Sequence, residues 1–260
     1  MDVNAVIEHI TDWLKTYSEN SNTNGFVVGV SGGIDSAVTS TLAAKTGKPV
    51  ICVEMPIHQH PDQVNRALKH VEWLQKKYPN VTLQSVELTN IFDAFVAALP
   101  DSDKDEANMS LVNTRARIRM TALYYFAALK GMLVAGTGNK IEDFGIGFFT
   151  KYGDGGVDLS PIADLTKSQV YEVAAALGVN QDIQDAPPTD GLWGDDRTDA
   201  DQIGATYPEL EWAMEFHGDE NTISERETEV LKIYRKLHKA NRHKMEAIPV
   251  CTIPETFFNL

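Results

Sequence analysis

The sequence predicts an α/β protein in which a parallel sheet carries helices on both faces. Two observations support this. Short apolar runs suited to buried strands recur at 26–30, 49–53, 81–86 and 132–135. Stretches with apolar residues at helical spacing lie between them, which is the pattern of βαβ units. Ligands of such sheets sit beyond the carboxyl ends of the strands. The residues just after 30, 53, 86 and 135 are therefore the places to search for a site.

Each element has its own signal. Val6, Ile7, Ile10, Trp13, Leu14 and Tyr17 predict an amphipathic helix over 2–18, broken by Asn22, Asn24 and Gly25. A Gly-rich turn, 31–36, follows the first strand and leads into a helix over 37–45 that Gly47 closes. Val64, Leu68, Val71 and Leu74 form one stripe of a helix over 61–77, and 89–99 is a shorter helix. The helix expected over 107–130 ends in MTALYYFAAL, apolar on nearly every face. A sheet would cover one side of it and a second copy of the chain the other. Residues 143–158 are too Gly-rich for a regular element, and Thr166 should cap a helix that ends before Gly178. Residues 185–200 are rich in Pro, Gly and Asp and read as a mobile loop. Helices over 207–216 and 222–240 complete the chain. No repeat or composition break divides residues 1–260, so one domain is expected, with mobile loops near 143–158 and 185–200.

Composition narrows the function. The chain has 37 acidic and 23 basic residues and a net charge of −14. Residues 182–229 hold 15 acidic residues against 2 basic ones, whereas residues 230–260 are net positive. Nucleic-acid binding normally needs a basic face, so it is not expected. No apolar run reaches membrane-spanning length and the first residues do not read as a secretory signal, so no membrane association is expected. Cys52 and Cys251 are too few for a disulfide framework or a Cys-rich zinc site, and a cytoplasmic location is expected. His58 and His60 lack further ligands nearby in sequence and read as loop residues rather than a metal site.

The string VVGVSGGIDSAV falls where the first strand ends. Ser31, Gly32 and Gly33 let the backbone curl and aim several N–H groups at one point, to which the next helix adds its positive end. This is an anion cradle suited to a pyrophosphate. It is neither the P-loop that ends Gly-Lys-Ser/Thr nor the GxGxxG turn. Asp35 would repel phosphate on its own, so its presence points to Mg²⁺ between carboxylate and phosphates. Ser36 could cap the helix or donate to phosphate.

SGGIDS resembles the signature of the PP-loop ATP pyrophosphatases, which cleave ATP between the α- and β-phosphates and adenylate a substrate oxygen. That resemblance implies an adenine nucleotide alpha-hydrolase-like, Rossmann-like three-layer fold. GTGNKIED, FFTKYGDGGVDLSPIADLTKSQVYEVA, PPTDGLW and a late His-Lys pair follow in order, and the set resembles the NAD synthetase family over nearly the whole chain. No glutaminase domain is visible, so the ammonia-dependent type is implied. The implied reaction has the nicotinate carboxylate of deamido-NAD attack the α-phosphorus of ATP. Ammonia then converts the adenylate to NAD and AMP.

The resemblance also implies residue roles. Gly29, Val30, Ser31, Gly32, Gly33, Ile34, Asp35 and Ser36 would hold ATP, with Thr137, Lys167 and Thr189. Asp35 and either Glu142 or Asp143 would bind Mg²⁺. Arg117, Lys151, Asp158, His243 and Lys244 would bind deamido-NAD. Asp154 would take a proton from the ammonia, and Lys151 would screen negative charge beside it. Glu54-Met55-Pro56 stands where some relatives carry an arginine for ATP, and Trp193 is either a lid aromatic or a packing residue. A homodimer is implied as well.

Overall fold

A computed structural model describes residues 1–100, 108–189 and 198–258. Its sheet has four parallel strands in the order β3-β2-β1-β4, with β1 Phe26–Gly29, β2 Val50–Glu54, β3 Val81–Ser85 and β4 Leu133–Val134. Successive strands step outward on one side of β1, and the chain then crosses to place β4 on the other side. That reversal opens a crevice beyond the carboxyl ends of β1 and β4, directly above the Gly-rich turn.

Alternation along the strands divides the core between two faces. Phe26, Val28, Val50 and Cys52 pack with α1 (Val3–Asn20), α2 (Ile34–Lys45), α3 (Pro61–Lys77) and α6 (Lys167–Leu177). Val27, Ile51, Val53 and Val134 face the other way, onto α4 (Thr89–Ala98) and α5 (Asn108–Lys130). Both faces being covered explains why the strands read as unbroken apolar runs. Thr166 caps α6 with the capping box that its spacing to Gln169 foretells, and Gly178 ends it in the left-handed region at φ 77°.

A third, smaller core joins α9 (Tyr207–Glu215) and α10 (Glu225–Met245) to a π-helical turn, Ile141–Ile146. This turn corrects the expectation of no regular element over 143–158, at its first residues. Asn139 builds it, because its buried Oδ1 accepts from the backbone N–H of both Ile141 and Glu142 at 3.1 Å. Two short helices, α7 (Gln181–Gln184) and α8 (Asp199–Ile203), lie within or beside stretches read as loop. Of the segment read as a mobile loop, residues 190–197, including Trp193, lie outside the described residues. Among the described residues no helix is long and apolar enough to cross a membrane.

Candidate active site

The Gly-rich turn is itself the start of α2. The helix begins at Ile34, three residues earlier than its apolar pattern suggests, with Gly33 at the cap position. Gly32 has φ 80°, and a side chain there would come within 2.6 Å of the Gln63 carbonyl oxygen. Only glycine fits both constraints. Ser36 is a first-turn residue whose hydroxyl donates to the Gly33 carbonyl at 2.9 Å and lies 3.2 Å from the Ser31 hydroxyl. The N–H groups of Ser31 and Gly33 donate to the Ser36 and Ser31 hydroxyls at 3.3 Å, and the turn stands at the positive end of a 12-residue helix.

Asp35 stands on the first turn of α2, and Glu142 on the π-helical turn reaches the same point. The ammonium of Lys167, the first residue of α6, lies 2.5 Å from Asp35 Oδ2 and 3.0 Å from Glu142 Oε1. Its residue is only 4% exposed. Burial lowers the pKa of the ammonium, but Asp35 and Glu142 outweigh it and raise the pKa well above that of an ordinary lysine. This explains a lysine at a helix N-terminus, where the dipole opposes it: two carboxylates overrule the dipole.

Further residues hold this cluster. Asn139 Nδ2 donates to Asp35 Oδ1 at 3.1 Å. The Tyr207 hydroxyl lies 2.5 Å from Glu142 Oε1 and 2.9 Å from Asp199 Oδ2, while its ring stacks under Lys167 at 4.7 Å. Burial and the carboxylates Glu142 and Asp199 keep that phenol protonated. Asp143 makes no ion pair with the Lys167 ammonium, and burial beside Glu142, Asp154 and Asp35 pushes its carboxyl up to about 8. Of the two candidates for the second metal carboxylate, the one paired through Lys167 with Asp35 is Glu142.

A cavity of about 290 Å³ opens over the cradle. Of the residues expected to hold ATP, it is lined by Gly29, the turn from Ser31 to Ser36, Thr137, Lys167 and Thr189, while Val30 is buried behind it with its N–H on the Val53 carbonyl. Asp154 lines the same cavity and is open to it, with one oxygen accepting from the Thr150 N–H at 2.9 Å. The surrounding protein desolvates this carboxyl and raises its pKa, a shift in the direction a proton acceptor near neutral pH requires.

The residues expected to hold the second substrate lie elsewhere. Arg117 donates to the Lys151 carbonyl at 3.4 Å, and Lys151 Nζ donates to the His243 carbonyl at 2.8 Å. Lys244 donates to the carbonyls of Gly147 and Phe149 at 2.5 and 2.6 Å. These four form a basic cluster that ties the end of α10 to the outer side of the 147–154 loop. Asp158 belongs to neither group. It accepts from the Tyr124 hydroxyl at 3.0 Å and from the Val134 N–H at 2.8 Å, and it borders a shallower pocket with Trp13, Tyr17 and Phe144. His58 pairs with Asp93, and His60 caps α3.

Sequence reasoning passed over Asn139, Asp199, Tyr207 and Arg119. Asn139 lies inside GTGNKIED, where a buried amide was the available signal. Tyr207 opens α9 as one more core aromatic, and nothing in its neighbours marks its hydroxyl.

The arrangement is a Gly-rich turn at a helix N-terminus beside two carboxylates that share one ammonium, and the comparisons point to one family. The NAD synthase family profile matches residues 6–248. The chain belongs to the NAD synthase family. It is 36% identical over 257 residues to an NH(3)-dependent NAD(+) synthetase of Alkaliphilus metalliredigens, covering 97% of this chain and 100% of that one. Among solved structures it resembles an NMN synthetase from Francisella tularensis, with a TM-score of 0.87, 31% identity, and coverage of 97% and 100% of the two chains. It also resembles an NH3-dependent NAD synthetase from Campylobacter jejuni, with a TM-score of 0.78, 27% identity and the same coverage.

Proposed function

We propose that this NAD synthase family member is a ligase that amidates deamido-NAD to NAD, using ATP and ammonia and releasing AMP and pyrophosphate. The observation that carries this reading is the single cavity in which the anion cradle, the Asp35–Lys167–Glu142 cluster and the desolvated Asp154 meet. The nicotinate carboxylate attacks the α-phosphorus, and pyrophosphate leaves toward the cradle N–H groups. Lys167 screens the anions that meet there. Asp154 then takes a proton from the nitrogen nucleophile as the C–N bond forms and AMP departs. Arg117, Lys151 and Lys244 present positive charge to the second substrate, His243 offers its imidazole, and Thr189 and Thr137 offer hydroxyls to the nucleotide.

Mg²⁺ fits the donor set. Asp35 and Glu142 supply hard oxygen ligands around one point, and among the described residues no cluster of three protein ligands exists. Such a pair suits a cation that completes its shell with substrate phosphates and water. When bound, it would neutralise the developing charge on the phosphates. We also take residues 1–260 to act as one catalytic unit in a reducing, cytoplasmic compartment. The unit pairs with a second copy through the outer face of α4 and α5, where Ile91, Phe95, Tyr125 and Leu129 are exposed.

A second reading has one observation in its favour, the high TM-score to a structure titled NMN synthetase. The same chemistry on nicotinate mononucleotide would need no site for the second nucleotide. Assays with ATP, Mg²⁺ and ammonium decide between them. NAD formed from deamido-NAD at a kcat/KM well above that for the mononucleotide supports our reading, and the reverse preference supports the second. Glutamine in place of ammonium should give no product.

A further inference from the structure

Arg119 lies midway along α5, and its guanidinium lines the cavity. Nε donates to the Met55 carbonyl at 2.9 Å, and Nη2 donates to Gln59 Oε1 at 2.7 Å. Both acceptors are neutral. Among the described residues no carboxylate makes an ion pair with it, and Nη1 has no hydrogen bond. Burial, with Arg115 nearby, lowers its pKa to about 10, so it stays charged at neutral pH. The Lys167 ammonium is bonded directly by two carboxylates, whereas Arg119 bonds only neutral groups, feels the carboxylates of Asp154 and Glu54 at longer range, and keeps one edge unused. A half-buried guanidinium with an unused edge facing a cavity is suited to an anionic guest.

Its position says which anion. On one side Arg119 is fixed to Met55 and Gln59, which follow β2. On the other it feels the carboxylate of Asp154. It therefore stands between the wall reached from the cradle by Gly29 and Met55 and the group that meets the nitrogen nucleophile. Within the proposed reaction that interval holds the α-phosphoryl group and the carboxylate joined to it.

We propose that Arg119 is a further catalytic residue, with its unused guanidinium edge holding the α-phosphoryl oxygens during adenylation. In that step a carboxylate oxygen forms a new bond to the α-phosphorus, and the bond from that phosphorus to the bridging oxygen breaks. Pyrophosphate leaves with the electron pair, and no proton is transferred. Negative charge concentrates on the non-bridging α-oxygens, which the planar N–H fork of arginine meets and the single ammonium of lysine does not.

This inference rests on the proposed adenylation, and the test keeps the two apart. Binding of AMP and of adenosine is measured by calorimetry for the full chain and for Arg119→Gln and Arg119→Lys. Pyrophosphate release is followed in a single turnover with deamido-NAD and no ammonium. Arg119→Gln should lose at least about tenfold in AMP affinity with adenosine affinity unchanged, and about 100-fold or more in pyrophosphate release. Arg119→Lys should keep a preference for AMP over adenosine and still release pyrophosphate at least about tenfold slower, because it cannot hold Met55, Gln59 and phosphate together. Equal loss of AMP and adenosine, or no loss of either, overturns the proposal. So does a lysine variant with the full rate, which decides the matter if the glutamine variant fails to fold. A wild-type chain that prefers AMP through Arg119 yet forms no amide would refute the reaction while leaving the phosphoryl contact standing.

Discussion

Lys167 fills the point where Asp35 and Glu142 converge, so its ammonium competes with any divalent cation for the same oxygens. Removing one partner of a buried ion cluster leaves unmatched charge, at a cost of about 3–5 kcal/mol. Lys167→Met should therefore melt lower than the wild type in a chelator. It should regain more stability than the wild type on adding Mn²⁺ without nucleotide, as seen in thermal melts. Equal Mn²⁺ shifts in the two proteins would show that the ammonium and the metal do not share this point. His70 gives a pH signature of its own. It is 1% exposed, with Nε2 2.9 Å from the Ser40 hydroxyl, and burial lowers its pKa from 6.5 to about 4. The unfolded chain binds the proton more readily, so this contribution is present above about pH 6.5 and is lost as pH falls toward 4, up to roughly 3 kcal/mol. Denaturant midpoints measured across that window should fall less steeply in His70→Gln than in the wild type. Identical slopes would remove His70 from the account.

At the scale of elements, the sequence was most informative where one physical requirement acts locally. The Gly-rich turn, the Thr166 cap and Gly178 each answer a backbone need that a few neighbours reveal. The start of α2 was misjudged because SGGIDS reads as loop by composition, although Ile34 and Asp35 already lie in the helix. α10 continues to Met245 because Lys244 and Asn241 bond to the carbonyls of the 146–149 segment, contacts that no local pattern announces. The π-helical turn depends likewise on Asn139 and on packing against α9 and α10. Gly138 is part of that turn's support, since a side chain there would overlap the Asp143 carboxylate. Gly138→Ala should destabilise the protein by about 1–3 kcal/mol, as overpacking does, and should weaken Mn²⁺ binding in the presence of ATP by moving Glu142. Unchanged stability in denaturant titrations would show that Asp143 can give way freely.

For the whole molecule, burial on both sheet faces leaves large apolar side chains of α4 and α5 exposed. Phe95, Tyr125 and Leu129 are 44, 62 and 58% exposed there. Such a patch on a chain of net charge −14 points to a partner surface rather than to solvent. Light scattering should give twice the chain mass of 28.7 kDa, and a mass near one chain would contradict the pairing. That the residues after β1 and β4 line one cavity was legible in the sequence, because they cluster within short motifs at the ends of those strands. Arg117, Lys151, His243 and Lys244 were nameable only through the family pattern, since 92 residues separate Lys151 from its contact at His243. Arg119 was hidden because three arginines on one helix look alike until α5 turns one of them into the cavity.

The central claim is that a carboxylate oxygen of the substrate attacks the α-phosphorus and later departs with AMP. Deamido-NAD carrying ¹⁸O in its nicotinate carboxylate tests this directly, with ATP, Mg²⁺ and ammonium, followed by mass spectrometry of the products. One labelled oxygen in AMP and none in pyrophosphate is the predicted result. Unlabelled AMP formed alongside NAD would contradict the adenylation.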